Sequence, residues 1–339
     1  MVASEHGFKT WAGLRRHVAR LRDTGAPFAR AYRAIEACDL EELREQLDRT
    51  PELVDAQGTN GNDLLGMAGA TGDQRLTTLL LERGADPARA NIHGWTALHQ
   101  AAYSDQPELA QELLDHGAPT DVSARGDGGT PLIVALFWGN VRTAELLAEH
   151  GVHPRNLRAA AGLGDPELLG ALLRSGGPGA SAGEHRGFYR PHGGFPAWQP
   201  ANDAQEVLDE ALAWAARSDR VDALATLVQC GANPDTDVYR GTPLCWAAAV
   251  GRVPAIRRLV ELGADPNTRS TFGGPAHGRG LTALHLAAQD GKLDAVAALL
   301  ELGADPAVED ALYQSSAAGW AEHFGHPEAA ALIRGPEKA

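Results

Sequence analysis

The chain should fold as an all-α solenoid of about nine helix–turn–helix units joined by β-hairpin-like loops. Six times a Leu-rich helical stretch ends in the same kind of turn: Gly84-Ala85-Asp86-Pro87, Gly117-Ala118-Pro119-Thr120, Gly151-Val152-His153-Pro154, Gly231-Ala232-Asn233-Pro234, Gly263-Ala264-Asp265-Pro266 and Gly303-Ala304-Asp305-Pro306. The first three turns are 33 and 34 residues apart and two later ones 32. A fixed period near that length means stacked helix pairs, each unable to bury its apolar face without its neighbours. Composition agrees: apolar residues make up 44% of the 339 but aromatics only 6%, which suits Ala and Leu packed between closely spaced helices.

The units follow in order. Residues 8–22 place Phe8, Trp11, Leu14, Val18 and Leu21 on one helical stripe with arginines opposite, and Gly25-Ala26-Pro27 stops that helix. The stripe reads either as an N-terminal capping helix over residues 1–29, which a solenoid's open end needs, or as a basic amphipathic helix for an anionic membrane. Helices from Arg30 to Leu47, followed by Pro51-Glu52-Leu53-Val54, form a degenerate first unit. Asn62-Asp63-Leu64-Leu65 opens the second, with Asp63 expected at the first helical position. Thr96-Ala97-Leu98-His99 and Thr130-Pro131-Leu132-Ile133 open the third and fourth, and Arg155-Asn156-Leu157-Arg158 is a worn version in the fifth. The sixth has helices from Glu206 to Ala216 and Val221 to Cys230. Thr242-Pro243-Leu244-Cys245 and Thr282-Ala283-Leu284-His285 open the seventh and eighth, and a polar unit from Ser315 to Arg334 closes the array.

Each motif position has a physical reason. Thr caps the helix start, Pro or Ala follows where a missing N–H costs little, and Leu points into the stack. The Gly of Gly-Ala-Asp sits just past the second helix, where a left-handed conformation closes the last turn. Together with Gly94-Trp95-Thr96-Ala97-Leu98-His99-Gln100-Ala101-Ala102, these residues resemble the ankyrin repeat over nearly the whole chain. The resemblance divides the chain into repeats 1–5 at 30–175, repeats 6–8 at 204–313 and a capping repeat with its tail at 314–339. It implies that His99 and His285 hydrogen-bond backbone between repeats, and that Ile133 and Cys245 leave the same groups to be satisfied differently. It further implies an interaction module that grips a partner protein along a concave groove with hairpin tips and inner helices.

Two stretches break the period. The 80-residue step from Gly151 to Gly231 contains an insertion at 176–203, rich in aromatics and histidine, that is too long and aperiodic to be repeat. Its first part has a linker's composition. Its second part concentrates Phe188, Tyr189, Phe195 and Trp198 among His185, Arg186, Arg190 and His192, the composition of a binding loop or of a cover over the truncated fifth repeat. The 40-residue step from Gly263 to Gly303 lengthens a hairpin over 268–280. A single recess gathering Tyr189, Arg190, His192, Trp198, Tyr239, Arg240, Trp246, Phe272, His277 and Arg279 would be basic and aromatic, suited to a small anionic or aromatic ligand.

Charge and motifs narrow the function classes. The formal charge is −14, with residues 1–33 at +5 and the remainder at −19. So acidic a surface argues against nucleic acid. No run approaches the length of a membrane span, so a membrane partner is not expected, and a soluble cytoplasmic protein with reduced, buried Cys38, Cys230 and Cys245 is. No phosphate-loop, nucleophile-elbow, zincin or Cys-x-x-Cys motif occurs, and Glu184-His185 with His192 is weakly spaced for a metal. No cofactor is expected. An enzyme remains the alternative to an interaction module, with its pocket at 184–200 and the 239–240 and 268–280 hairpins.

Overall fold

The computed structural model describes residues 26–124, 128–151, 154–174, 203–238, 241–271 and 279–335. Among them are eighteen α-helices and no strand. The hairpins close through single bridges, Gln57 with Asp63, Ser270 with Leu281 and Glu309 with Ser316. The basic stripe of 8–22 and most of the insertion lie outside the described residues.

The chain divides into two compact units. The first reaches Ala135 and takes in Asn140–His153; the second comprises Leu136–Gly139 and Pro154–Ala339. The first contains α1 (Pro27–Glu36), α2 (Leu40–Arg49), α3 (Leu64–Thr71), α4 (Gln74–Glu82), α5 (Ala97–Tyr103) and α6 (Pro107–Asp115). Helix α7 (Pro131–Trp138) begins in it, and α8 (Val141–His150) completes it. The second has α9 (Leu157–Leu163), α10 (Pro166–Arg174), α11 (Ala204–Arg217), α12 (Val221–Gln229) and α13 (Pro243–Ala249). It continues with α14 (Val253–Glu261), α15 (Ala283–Gln289), α16 (Leu293–Glu301), α17 (Ala317–His323) and α18 (Pro327–Arg334).

Within each unit the odd-numbered helices pack on one another as an inner row and the even-numbered ones as an outer row. The rows meet over Ala and Leu: Leu98, Leu132, Leu244 and Leu284 are all buried. The turn glycines Gly84, Gly117, Gly231, Gly263 and Gly303 take φ between 82° and 102°, the left-handed conformation that ends the outer helix. Gly151 departs from them, extended at φ −138°.

Several local readings change. Pro27 starts α1, three residues before the expected Arg30. Asp63 is not the first helical residue but the N-cap of α3, its Oδ1 accepting from Gly66 N at 2.8 Å. Asn62 and Asp63 are both good caps, and the apolar pair Leu64-Leu65 fits the helix whichever is chosen, so the register was ambiguous by one. Only Cys245 of the three thiols is buried; Cys38 and Cys230 end helices and are exposed.

Where Cys245 replaces histidine, a relay takes over. His99 Nε2 reaches Gly129 O at 2.9 Å and His285 Nε2 reaches Ser315 O at 3.2 Å, both 30 residues onward. The thiol is too short for that span. Cys245 Sγ instead donates to Ser270 Oγ at 3.6 Å, and Ser270 Oγ donates to Leu281 O at 3.2 Å, the carbonyl that precedes the next Thr cap. Burial pushes the Cys245 thiol up, consistent with a donor held neutral.

Candidate functional site

In the first unit the inner helices and hairpins leave two adjoining recesses. One, of about 150 Å³, is bordered by Asn62, Asp63, Met67, Arg89, Asn91, Trp95 and Gln100. The other, of about 250 Å³, is bordered by Phe28, Tyr32, Gly58, Thr59, and again Asn62 and Met67. The shared residues make them one groove.

Backbone geometry sets this groove's wall. Asn91 N bonds Trp95 O at 3.0 Å, and Asn91 Oδ1 accepts from His93 N and Trp95 N. Gly94 closes that turn at φ 74°; a Cβ there would lie 2.4 Å from Ser123 O, so no other residue fits. Asn91 Nδ2 to Asn62 Oδ1 (2.8 Å) and Ile92 N to Asn60 O (2.9 Å) tie the hairpin to the one before it. The Trp95 indole is thereby held across His99 (5.3 Å) and edge-on to Tyr103 (6.1 Å), while Tyr103 itself is 46% exposed and Ile92 41%.

The groove's charges are few. Arg89 lines it but is committed to Asp55, donating to both its backbone and side-chain oxygens at 2.6 Å. Burial raises the Asp63 carboxyl above the usual carboxylate range, against the pull of the Gly66 N–H and of Arg89. Tyr32, which borders the second recess, is raised by its hydrogen bond to Glu36.

The second unit holds a different aromatic cluster, and it is buried. The Arg217 guanidinium lies 4.0 Å from the Trp246 ring centroid and 4.9 Å from that of Phe137, and it donates to Phe137 O. Phe137 meets Trp214 edge-on at 6.1 Å. Arg252 donates to Arg217 O at 3.1 Å and Gly139 O at 2.7 Å, and Arg158 is ion-paired with Glu210, both wholly buried. Desolvated cation–π contacts contribute about 2 kcal/mol each, so the cluster cross-links inner helices that Ala-rich faces alone would hold weakly.

Of the ten residues singled out in the sequence, Trp246 and Arg279 fall among those described. Trp246 is 4% exposed and packs against Arg217. Arg279 is exposed, and its carbonyl accepts from Ala311 N at 2.7 Å. Tyr189, Arg190, His192, Trp198, Tyr239, Arg240, Phe272 and His277 lie outside the described residues. The groove of the first unit was missed. Its available signal was Trp95, an aromatic directly before a Thr cap, with Tyr103 two turns along the same helix.

No group of three or more His, Cys, Asp or Glu able to hold a metal occurs among the described residues. No helix among them is long and apolar enough to cross a membrane.

Comparison with known proteins agrees with the geometry. A family model described as ankyrin repeats (3 copies) matches residues 64–158 and 157–270. The model of a single ankyrin repeat matches residues 279–311. The chain is 34% identical over 99 residues to ankyrin repeat and SAM domain-containing protein 6 of Rattus norvegicus, covering 29% of this chain and 11% of that protein. It is 26% identical over 125 residues to transient receptor potential cation channel subfamily A member 1 of Homo sapiens, covering 35% and 11% respectively. Protein PhlB of Serratia liquefaciens shares 42% over 60 residues, 18% of this chain and 26% of that one. The chain thus spans about 11% of the length of the first two relatives. With family models matching well over half its length and paired helices repeating as they require, the chain belongs to the ankyrin-repeat family.

Proposed function

We propose that the chain is a protein-interaction module that binds an extended segment of a partner protein in the groove of its first unit. The carrying observation is the exposed ring of Tyr103 beside the fixed indole of Trp95, which borders the first of the two adjoining recesses. Aromatic side chains on a rigid support are the residues on which binding energy concentrates, because they bury large area at little entropic cost. Ankyrin repeats are generally protein-interaction modules, and nothing in this reading asks for catalysis. The concave inner-helix face in other repeats is where the reading places secondary contacts.

The test is a selection of random linear peptides against the full chain. Selected peptides should bind Tyr103→Ala about tenfold or more weakly, since hot-spot truncations cost about 2 kcal/mol or more. Arg142→Ala on the outer row should leave them unchanged, as its ion pair with Glu108 is solvent-exposed. Equal binding to the parent chain and to Tyr103→Ala would remove the groove from consideration. A small anionic or aromatic ligand at the insertion and the 239–240 and 268–280 hairpins is the second reading. Its described support is Arg279, which is exposed at the end of its hairpin.

A further inference from the structure

The array does not end on the polar unit its sequence suggests. Of the seven large apolar side chains left exposed among the described residues, four belong to the last repeat and the hairpin that enters it: Leu312, Tyr313, Phe324 and Leu332. Tyr313 is 60% exposed, Leu312 49% and Phe324 45%. Tyr313 and Phe324 both stand against the buried Trp320, at ring separations of 6.3 and 5.7 Å, so the three make one row. A terminal repeat ordinarily turns a polar face to water, and an apolar row in its place marks an interaction surface.

The row is held in place by one carboxylate. Asp310 Oδ1 accepts from Leu312 N at 2.8 Å and Tyr313 N at 2.6 Å, and Oδ2 from Ser315 N at 3.1 Å and Trp320 Nε1 at 3.0 Å. Burial works to raise the Asp310 carboxyl, but these donors hold it below the usual carboxylate range. It is buried, and its oxygens are committed to the hairpin. Rings fixed in advance lose little entropy when a partner covers them.

The preceding hairpin adds positive charge. Arg269 and Arg279 are both exposed, and neither enters an ion pair among the described residues. Arg279 O accepts from Ala311 N at 2.7 Å, which joins this hairpin to the one carrying Leu312 and Tyr313. Gly280 stands between them: a Cβ built on it would be 3.4 Å from Arg269 Nη1 and 3.6 Å from Ala311 Cβ. Residues 268–271 and 279–282 include no carboxylate, and Glu322 of the last repeat is already paired with Arg334 at 2.7 Å. The surface is therefore locally basic and apolar on a chain of formal charge −14. That overall charge repels a polyanion such as nucleic acid or an anionic bilayer, whereas a short acidic segment meets mainly the local field.

We propose that Tyr313, Phe324, Arg269 and Arg279 form a docking surface for an acidic, apolar segment of a partner protein. An Asp or Glu side chain would lie on the arginines and a neighbouring large apolar side chain on the aromatic row. Arginine suits this role, because its planar fork donates two parallel hydrogen bonds to one carboxylate. The surface belongs to the second unit and does not rest on the first unit's groove being a binding site.

A random-peptide selection against the Tyr103→Ala chain tests this surface apart from the groove. Recovered peptides should carry Asp or Glu next to Leu, Phe, Trp or Tyr. Changing the acidic residue to its amide should weaken binding about tenfold or more, as expected for lost charge-assisted hydrogen bonds. Adding Arg269→Gln and Arg279→Gln together to the chain should have the same effect, and Tyr313→Ala a similar one. Arg257→Gln, which removes an exposed arginine paired with Glu301, should change nothing. These residues are all exposed, so thermal midpoints by circular dichroism should agree across the set. Arg279→Glu should turn the selection towards Lys and Arg, which a merely destabilised chain would not do. The surface is overturned if no recovered peptide depends on Tyr313, or if those that do lack an acidic position or bind the double glutamine variant as well. Phosphatidylcholine–phosphatidylserine vesicles should stay unbound; binding that the double variant loses would assign the patch to a lipid surface and overturn the proposal too. Every arm starts from Tyr103→Ala, so either result leaves the groove to its own test.

Discussion

Arg158→Leu should destabilise the second unit by about 3–5 kcal/mol, although it restores the residue type that the repeat places there. Asn156 caps α9, so Arg158 occupies the position that Leu98, Leu244 and Leu284 fill after their own caps. It is wholly buried and ion-paired with Glu210 of α11, which is wholly buried too. Deleting the guanidinium takes the ion-pair partner from a wholly buried carboxylate, whose charge is costly to keep out of water. Glu210→Met should cost a similar amount by removing the buried cation's ion-pair partner. The double variant should recover most of the loss, because two charges out of water gain little over two well-packed apolar side chains. Urea midpoints would measure the cycle, and hydrogen exchange in α9 and α11 would locate it, since a repeat array need not unfold in one step. Single variants within about 1 kcal/mol of the parent would mean that the pair is solvated in solution.

That pair also marks where reading the residues stopped short. The turns and Thr caps follow one-dimensional rules, so the helices and the buried leucines were legible in the residues, and the resemblance to the ankyrin repeat added the backbone contacts of His99 and His285. Asp63 was off by one because neighbouring Asn62 caps as well. Arg158 looked like wear in a degenerate repeat; its partner is 52 residues away, and nothing local announces it. Trp246 was placed in a ligand recess and Phe137 and Trp214 were not singled out; only the packing of α7, α11 and α13 sets Arg217 between the Phe137 and Trp246 rings, with Trp214 beside Phe137. The groove was invisible for the opposite reason: Trp95 and Tyr103 were in view, but whether an aromatic is buried or left open is decided by neighbouring repeats.

Acid should unfold the first unit earlier than its carboxylates alone would cause, with His99 the main reason. Thr96 N donates to His99 Nδ1 at 3.1 Å, so that nitrogen must carry a lone pair, and Nε2–H is the donor to Gly129 O. Burial is the chief cause that depresses the imidazole from 6.5 to about 4, with the Gly129 and Val122 carbonyls pulling the other way. A proton on Nδ1 would also face the Thr96 N–H and break the reciprocal cap that starts α5. Because the unfolded chain binds this proton more readily, stability is complete above about pH 6.5 and declines as pH falls towards 4. Below that both states are protonated and His99 takes nothing more. The full shift corresponds to about 3 kcal/mol. His285, lowered by burial in the same arrangement, should add a loss of the same sign in the second unit. The check is stability against pH for the parent chain and for His99→Gln, which should be weaker at pH above 7 yet flatter between 6.5 and 5, before most carboxylates titrate. Parallel curves through that window would show that His99 is already charged in the folded chain, and the neutral Nε2–H tautomer would have to be abandoned.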